Sequence, residues 1–207
     1  VLFGERLSAS YVCQISKELD QAVREFANSP VDDVSVNVKL GLKGKLFMVL
    51  VAYGIRLDGS RRLLSFQKVR TESKACWKTF LENLKVRGLK GRNLELIVMD
   101  GCKGLWPAVE DVYPLAEHQL CWVHKLRNVS KYCPARYRQQ CMSEAKQIMN
   151  AKSAGVAVNL FRAWKLKWQK LIPKAVKCLE DDFDRLIPVF EFPTQIRKMI
   201  RTTNIME

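Results

Sequence analysis

Apolar residues recur at helical spacing through residues 7–27, at Val12, Ile15, Leu19, Val23 and Phe26, with Ser8 or Ser10 as the N-cap. Asn28-Ser29-Pro30 stops that helix. From Val34 the period shortens to two: Val34, Val36 and Val38 alternate with Ser35 and Asn37, which predicts a strand. After a connection read at "LGLKGK", the run from Leu46 to Ile55 is apolar almost throughout and predicts a second strand covered on both faces. Asp58-Gly59, within "RLDGSRR", is a hairpin signal, and "LLSFQKV" is the returning strand. Three antiparallel strands follow.

In "TESKACWKTFLENLKVRG", Thr71 or Ser73 opens a helix whose inner face is expected at Ala75, Cys76, Phe80 and Leu84, with Trp77 beside them, and Gly88 closes it. "LELIVMDG" is a buried strand ending in Asp100-Gly101, and a further helix separates it from "HQLCWVHKLRN", a short strand running into a helix. From about Cys133 to Ile200 no strand is expected. "NLFRAWKLKWQKL" puts Leu160, Phe161, Trp164, Trp168 and Leu171 on one face and basic residues largely elsewhere, while Pro173, Pro188 and Pro193 punctuate the rest. The order is helix, three strands, helix, strand, helix, strand, then an all-helical block.

Composition narrows the class. The longest apolar run, "LFMVLVAY", is far short of the roughly 20 residues that span a bilayer. Seven cysteines, an odd number scattered over 207 residues, fit reduced thiols in a cytosol-like compartment better than a disulfide framework. Lys and Arg outnumber Asp and Glu by 35 to 21, a formal charge of +14 spread along the chain, which favours a polyanionic partner.

This order of strands is that expected of a ribonuclease H-like sheet, in which the first and fourth strands are neighbours. Asp32 or Asp33 would then approach Asp100, and a pair of hard carboxylates on rigid strands suits Mg²⁺. Two such ions activate a water or 3′-hydroxyl and stabilise the leaving oxygen of an in-line displacement at phosphorus. Glu207 is the candidate third carboxylate. Cys121 and His124 are half of a zinc pattern with no second pair near them, or a buried Cys with a hydrogen-bonded His at a strand end. Lys125, Arg127 and Asn128 are phosphate contacts or a solvated basic face, and Arg201, Thr202 and Thr203 are phosphate contacts or a polar helix start. Trp122, Trp164 and Trp168 are base-stacking candidates, although the helical spacing of the last two favours core packing.

"VLVAYGIRLDG", "LIVMDGCKGLWPAVEDVYP", "QLCWVHKLRNV" and "IRTTNIME" together resemble, in order and spacing, the mutator-type DDE transposases of bacterial insertion sequences. The resemblance implies a ribonuclease H-like core interrupted by a helical insertion before the last carboxylate. It assigns the catalytic, metal-binding carboxylates to Asp32, Asp100 and Glu207, with Asp33 standing where the family has Gly, and sets Cys121 and His124 beside the active site, orienting the catalytic strand or contacting DNA. The implied organisation is a helical remnant of a DNA-binding region over 1–30, the catalytic core over 31–131, the helical insertion over 132–200, and the start of a truncated final catalytic helix over 201–207. The implied activity is cleavage at terminal inverted repeats and strand transfer, with Mg²⁺ as cofactor and Mn²⁺ as its substitute. DNA is the partner, a homodimer or larger synaptic complex the assembly, and the prokaryotic cytoplasm, at the nucleoid, the location; no membrane is involved. An inactive, truncated copy that only binds DNA is the alternative.

Overall fold

The computed structural model describes residues 42–43, 48–92 and 94–203. The helix expected over 7–27, the strand at Val34–Val38, and the carboxylates Asp32, Asp33 and Glu207 lie outside the described residues. What is described is a mixed α/β fold with two small sheets. In the first, β1 (Leu42–Lys43), β2 (Met48–Ile55) and β3 (Arg61–Val69) are antiparallel in that order. Leu42 pairs with Val49 and Lys43 with Met48, so part of the segment read as a connection is strand. The period of two begun at Val34 in fact runs on through Leu40 and Leu42, and Gly41 obscures it. The hairpin between β2 and β3 turns where expected: the Ser60 N–H donates to Asp58 Oδ1 at 2.7 Å, and Gly59 takes φ +84°, a conformation open to glycine.

The second sheet is a parallel pair, β4 (Leu96–Met99) beside β5 (Glu117–Leu120), in register from Leu96 opposite Glu117 to Met99 opposite Leu120. Helix α1 (Lys74–Val86) precedes it, and α2 (Leu105–Val112) is the crossover between its strands. All of β4 is buried, and its side chains divide by the period of two: Ile97 and Met99 enter a core with Leu50, Ala52, Leu64, α1 and α2, while Leu96 and Val98 enter a second core with Leu120 and the helices that follow. Such double coverage is what a strand apolar on every residue requires.

Ser73 caps α1, accepting from the Cys76 N–H at 3.3 Å. Its buried stripe is Trp77, Phe80, Leu81 and Leu84, whereas Ala75 is exposed and Cys76 half-buried. The i, i+3, i+4, i+7 set carries more apolar surface than the two small residues expected there, and the helix turns accordingly.

Beyond β5 the described chain is helical: α3 (Trp122–Lys131), α4 (Ala135–Met149), α5 (Ala154–Trp168), α6 (Pro173–Glu180), 3₁₀ turns at Asp184–Leu186 and Pro188–Glu191, and α7 (Thr194–Ile200). Pro173 and Pro188 sit in first turns, where a missing N–H costs nothing, and Pro193 caps α7. On α5, Phe161, Trp164 and Trp168 are buried as expected, but Leu160 is only half-buried and Leu171, past the helix end, is 51% exposed. The base-stacking candidates are core residues: Trp122, Trp164 and Trp168 are all buried, and their indole N–H groups donate to Leu186 O (2.8 Å), Cys141 O (3.2 Å) and Glu144 Oε2 (2.8 Å).

Gly104 marks where the loop after β4 meets the start of α1. A β-carbon there would lie 2.5 Å from Glu72 O and 2.8 Å from Lys74 N, both backbone atoms. Gly104→Ala is therefore expected to destabilise by about 1–3 kcal/mol, a loss of roughly 2–12 °C in Tm; differential scanning calorimetry reads it, and an unchanged Tm would show that the loop gives freely.

Candidate active site

The carboxyl ends of β4 and β5 bring Asp100 and Cys121 out of the sheet side by side, because the Cys121 N–H donates to Met99 O at 2.7 Å and prolongs the ladder by one bond. Asp100 is half-buried, and its Oδ1 accepts the Cys102 N–H at 3.2 Å, a local turn that orients the carboxylate. Cys121 is only 1% exposed and caps α3, its Sγ accepting the His124 N–H at 3.4 Å.

That thiol also receives the segment beyond α7. The Thr203 N–H donates to Cys121 Sγ at 3.2 Å, His124 Nδ1 lies 3.1 Å from the sulfur and 3.0 Å from Thr203 Oγ1, the Trp122 N–H donates to Arg201 O at 2.9 Å, and Gln119 Nε2 donates to Ile200 O at 2.9 Å. Residues 200–203 are thus fastened to residues 119–124 through both backbone and side chains. Thr202 and Thr203, like Cys121, are buried, and their contacts run to one another rather than to solvent.

Burial pushes the Cys121 thiol up, but hydrogen bonds from the His124 and Thr203 side chains, and then their backbone N–H groups, outweigh it and bring the group down to about 7. The hydrogen bond to Cys121 holds the His124 imidazole above its ordinary value against the opposing effect of burial, helped by the charges of Cys121 and Asp100 and opposed by Arg127. Each shift favours the charged form of its group, a thiolate at Cys121 and an imidazolium at His124.

The remaining sequence candidates are dispersed. Lys125 donates to Cys178 O at 3.0 Å and pairs with Asp182, which makes it a strut between α3 and α6. Asn128 accepts from Lys131 at 2.9 Å, Arg127 is exposed, and the Arg201 guanidinium donates to Asn150. Among the described residues no three His, Cys, Asp or Glu side chains gather as a metal site, and Cys121 and His124 bond to each other without a further ligand pair. Two contributors escaped sequence reasoning. Gln119 is a buried polar residue within an apolar strand end, a signal that was available; Glu72, whose carboxylate lies 3.9 Å from Cys102 Sγ, is distant in sequence and carried none.

Comparison with known proteins gives one consistent result. The sequence model described as "Transposase, Mutator family" matches residues 1–207. The chain is 32% identical over 215 residues to the transposase for insertion sequence element ISRM5 of Rhizobium meliloti (strain 1021), covering 100% of this chain and 54% of that protein. It is 30% identical to the transposase for IS6120 of Mycolicibacterium smegmatis, over 99% of this chain and 65% of that one. It is also 33% identical to the transposase for IST2 of Acidithiobacillus ferrooxidans, over 77% and 53%. The chain spans about half to two thirds of the length of these relatives.

The thiol yields a pH prediction. Its folded value near 7 lies below the ordinary 9.0, so ionised Cys121 stabilises the fold fully above pH 9, and that contribution is lost as pH falls to 7. His124, shifted upward, acts oppositely: its contribution is full below 6.5 and fades as pH rises through its raised value. Serine does not ionise in this window, so the Tm gap between wild type and Cys121→Ser is expected to widen from pH 7 to pH 9. A gap independent of pH would show that ionisation of the sulfur adds no net stability once the opposing His124 contribution is counted.

Proposed function

The chain belongs to the Mutator family of transposases, and from that premise we propose that it carries the catalytic core of a DDE transposase. The reaction is cleavage of DNA at terminal inverted repeats and transfer of the freed 3′ ends to target DNA. The observation that carries this reading is the fastening of Thr203 to Cys121, one ladder bond from Asp100. Glu207 follows Thr203 by four residues, a reach of at most about 14 Å for extended chain. A ribonuclease H-like sheet, with its first strand beside β4, would bring Asp32 (or Asp33) to the same place. The domain division at 31–131 and 132–200 belongs to this reading, as do the prokaryotic cytoplasmic location at the nucleoid and a homodimeric or larger synaptic assembly.

Asp32, Asp100 and Glu207 would hold Mg²⁺, for which Mn²⁺ substitutes. The donor chemistry fits at the described member of the set: Asp100 presents a hard carboxylate at the rigid end of a buried strand. Bound there, a pair of ions supplies Lewis-acid stabilisation and an activated water or 3′-hydroxyl. The chain's own residues do the positioning. Cys102 orients Asp100 through its N–H. Cys121 and His124 hold Thr203, and through it the direction in which the chain approaches Glu207. Burial excludes Cys121 from attacking substrate, so its sulfur serves as a hydrogen-bond anchor rather than a nucleophile. Arg127 and Arg201, flanking this junction, supply positive charge for the phosphodiester backbone.

Asp100→Ala tests the mechanism. Nicking of supercoiled plasmid in Mg²⁺ or Mn²⁺ is expected to fall by about 10³-fold or more, the several kcal/mol that a metal site contributes, while DNA binding measured by gel shift changes little. Unchanged nicking by this variant would sink the two-metal reading, and binding without nicking by the wild-type chain would establish the DNA-binding remnant in its place.

A further inference from the structure

We propose that a groove across the helical block, lined by α3, α4 and α7, is a binding track for a DNA sugar–phosphate backbone. The proposal rests on the transposase reading and extends it to a surface outside the carboxylate site.

Two clefts compose the groove. One, of about 670 Å³, lies between the α4–α5 connection and α7, with Lys152, Lys198 and Arg201 in its wall. The other, of about 820 Å³, lies between α3 and α4, with Arg127, Arg138 and Lys146 in its wall. Met149 lines both, and the Trp122 N–H to Arg201 O bond joins the element bearing Val123, in the second cleft, to Arg201 in the first. The clefts therefore share Met149 as a wall residue, and each borders the junction that fastens Thr203 to Cys121, one at Arg201 and the other at Val123.

Within the helical block the ion pairs and the groove cations lie on different faces, while Lys170, Lys174 and Lys177 are exposed cations outside the groove that likewise have no carboxylate partner among the described residues. On the faces turned to α5 and α6, cations are paired: Lys125 with Asp182, Lys165 with Glu180, and Lys167 with Glu144. Along the groove neither cleft has an acidic residue among its described lining residues. Arg127, Lys146, Lys152 and Lys198 are exposed and have no carboxylate partner among the described residues. Arg138 spends Nε and one terminal nitrogen on Cys133 O, which holds the guanidinium against the groove wall. Helix α4 shows the division within one element, since Glu144 bonds to Lys167 and Trp168 of α5 while Lys146, two residues on, lines the groove. A concave strip whose described ionisable residues are all basic lowers its free energy by taking up a linear polyanion and releasing that polymer's condensed counterions.

The test compares two triple variants of the full chain by fluorescence anisotropy, with a fluorescein-labelled DNA duplex of mixed sequence and with one of its strands. In the groove variant Lys146, Lys152 and Lys198 become Ala; in the control Lys170, Lys174 and Lys177, exposed and outside both clefts, become Ala. All six are surface lysines, and an unchanged Tm verifies the fold of each variant. The groove variant is expected to bind the duplex at least about tenfold more weakly, with a plot of log affinity against log salt shallower by about 2.7, three phosphates at 0.9 each; the control should stay near wild type. A loss confined to the single strand supports the groove with an unpaired strand as its occupant. Equal losses in both variants, or none in the groove variant, would overturn the groove while leaving the transposase reading intact. Failure of the wild-type chain to bind either DNA would overturn both.

Discussion

The pairing of β4 with β5 is the contact on which the described structure turns. Parallel strands cannot be joined by a tight turn, so this pair requires α2 as crossover, and its register sets Asp100 and Cys121 at neighbouring strand ends. Because both faces are covered, every residue of β4 is committed to packing and the strand cannot slip by one residue without exchanging its two cores. Chemistry is therefore displaced to the first residue beyond the ladder, where a polar side chain meets no apolar layer. That is the usual place for ligand-binding groups in open α/β sheets, and here the reason is visible in the burial of the strand itself.

Cys121 shows why a particular atom is suited to this corner. Its sulfur accepts from two backbone N–H groups, one opening α3 and one beyond α7, while lying next to His124 Nδ1. A serine oxygen would be smaller and would remain un-ionised at neutral pH, whereas a thiol brought to about 7 presents a large, diffuse and partly anionic acceptor able to hold several donors at once. The same burial that makes it an anchor removes it from substrate. Two elements distant in sequence thus meet on one polarisable atom, beside the backbone and side-chain bonds of Gln119, Trp122 and His124 that also join them.

The sequence was most informative where patterning is dictated by local geometry. The Asp58-Gly59 turn, the apolar β4 ending at Asp100, the short strand leading into α3 and the strand-free block to Ile200 could all be read from periodicity and punctuation. Errors arose where two patterns competed: Leu42 belonged to a period interrupted by a glycine, and the inner face of α1 followed Trp77 and Leu81 rather than the small Ala75 and Cys76. Lys125 read as a phosphate contact because its helix is basic, yet it points at Asp182, a partner that only tertiary structure reveals. The Thr203 clamp was illegible for the same reason, since nothing in "RTTN" says which sulfur will accept its N–H.

The helical block is more than an appendage to the sheet. Leu96, Val98 and Leu120 share one apolar core with Leu126, Ile148, Phe161, Trp168 and Ile200, so the helices supply the layer that one face of β4 needs. Removing them would expose that face and release residues 200–203 from β5, costing strand and clamp together. A block so bound to the sheet cannot move freely against it, and charges on its outer surface keep a constant position relative to Asp100. Rigid placement matters for a polyanion, because a track aligned in advance spares the ordering cost that a mobile arm would incur on binding. The paired charges facing α5 and α6 and the exposed Arg127, Lys146, Lys152 and Lys198 along the groove then have separate physical roles: the former lock the helices together, and the latter leave a fixed field outside them.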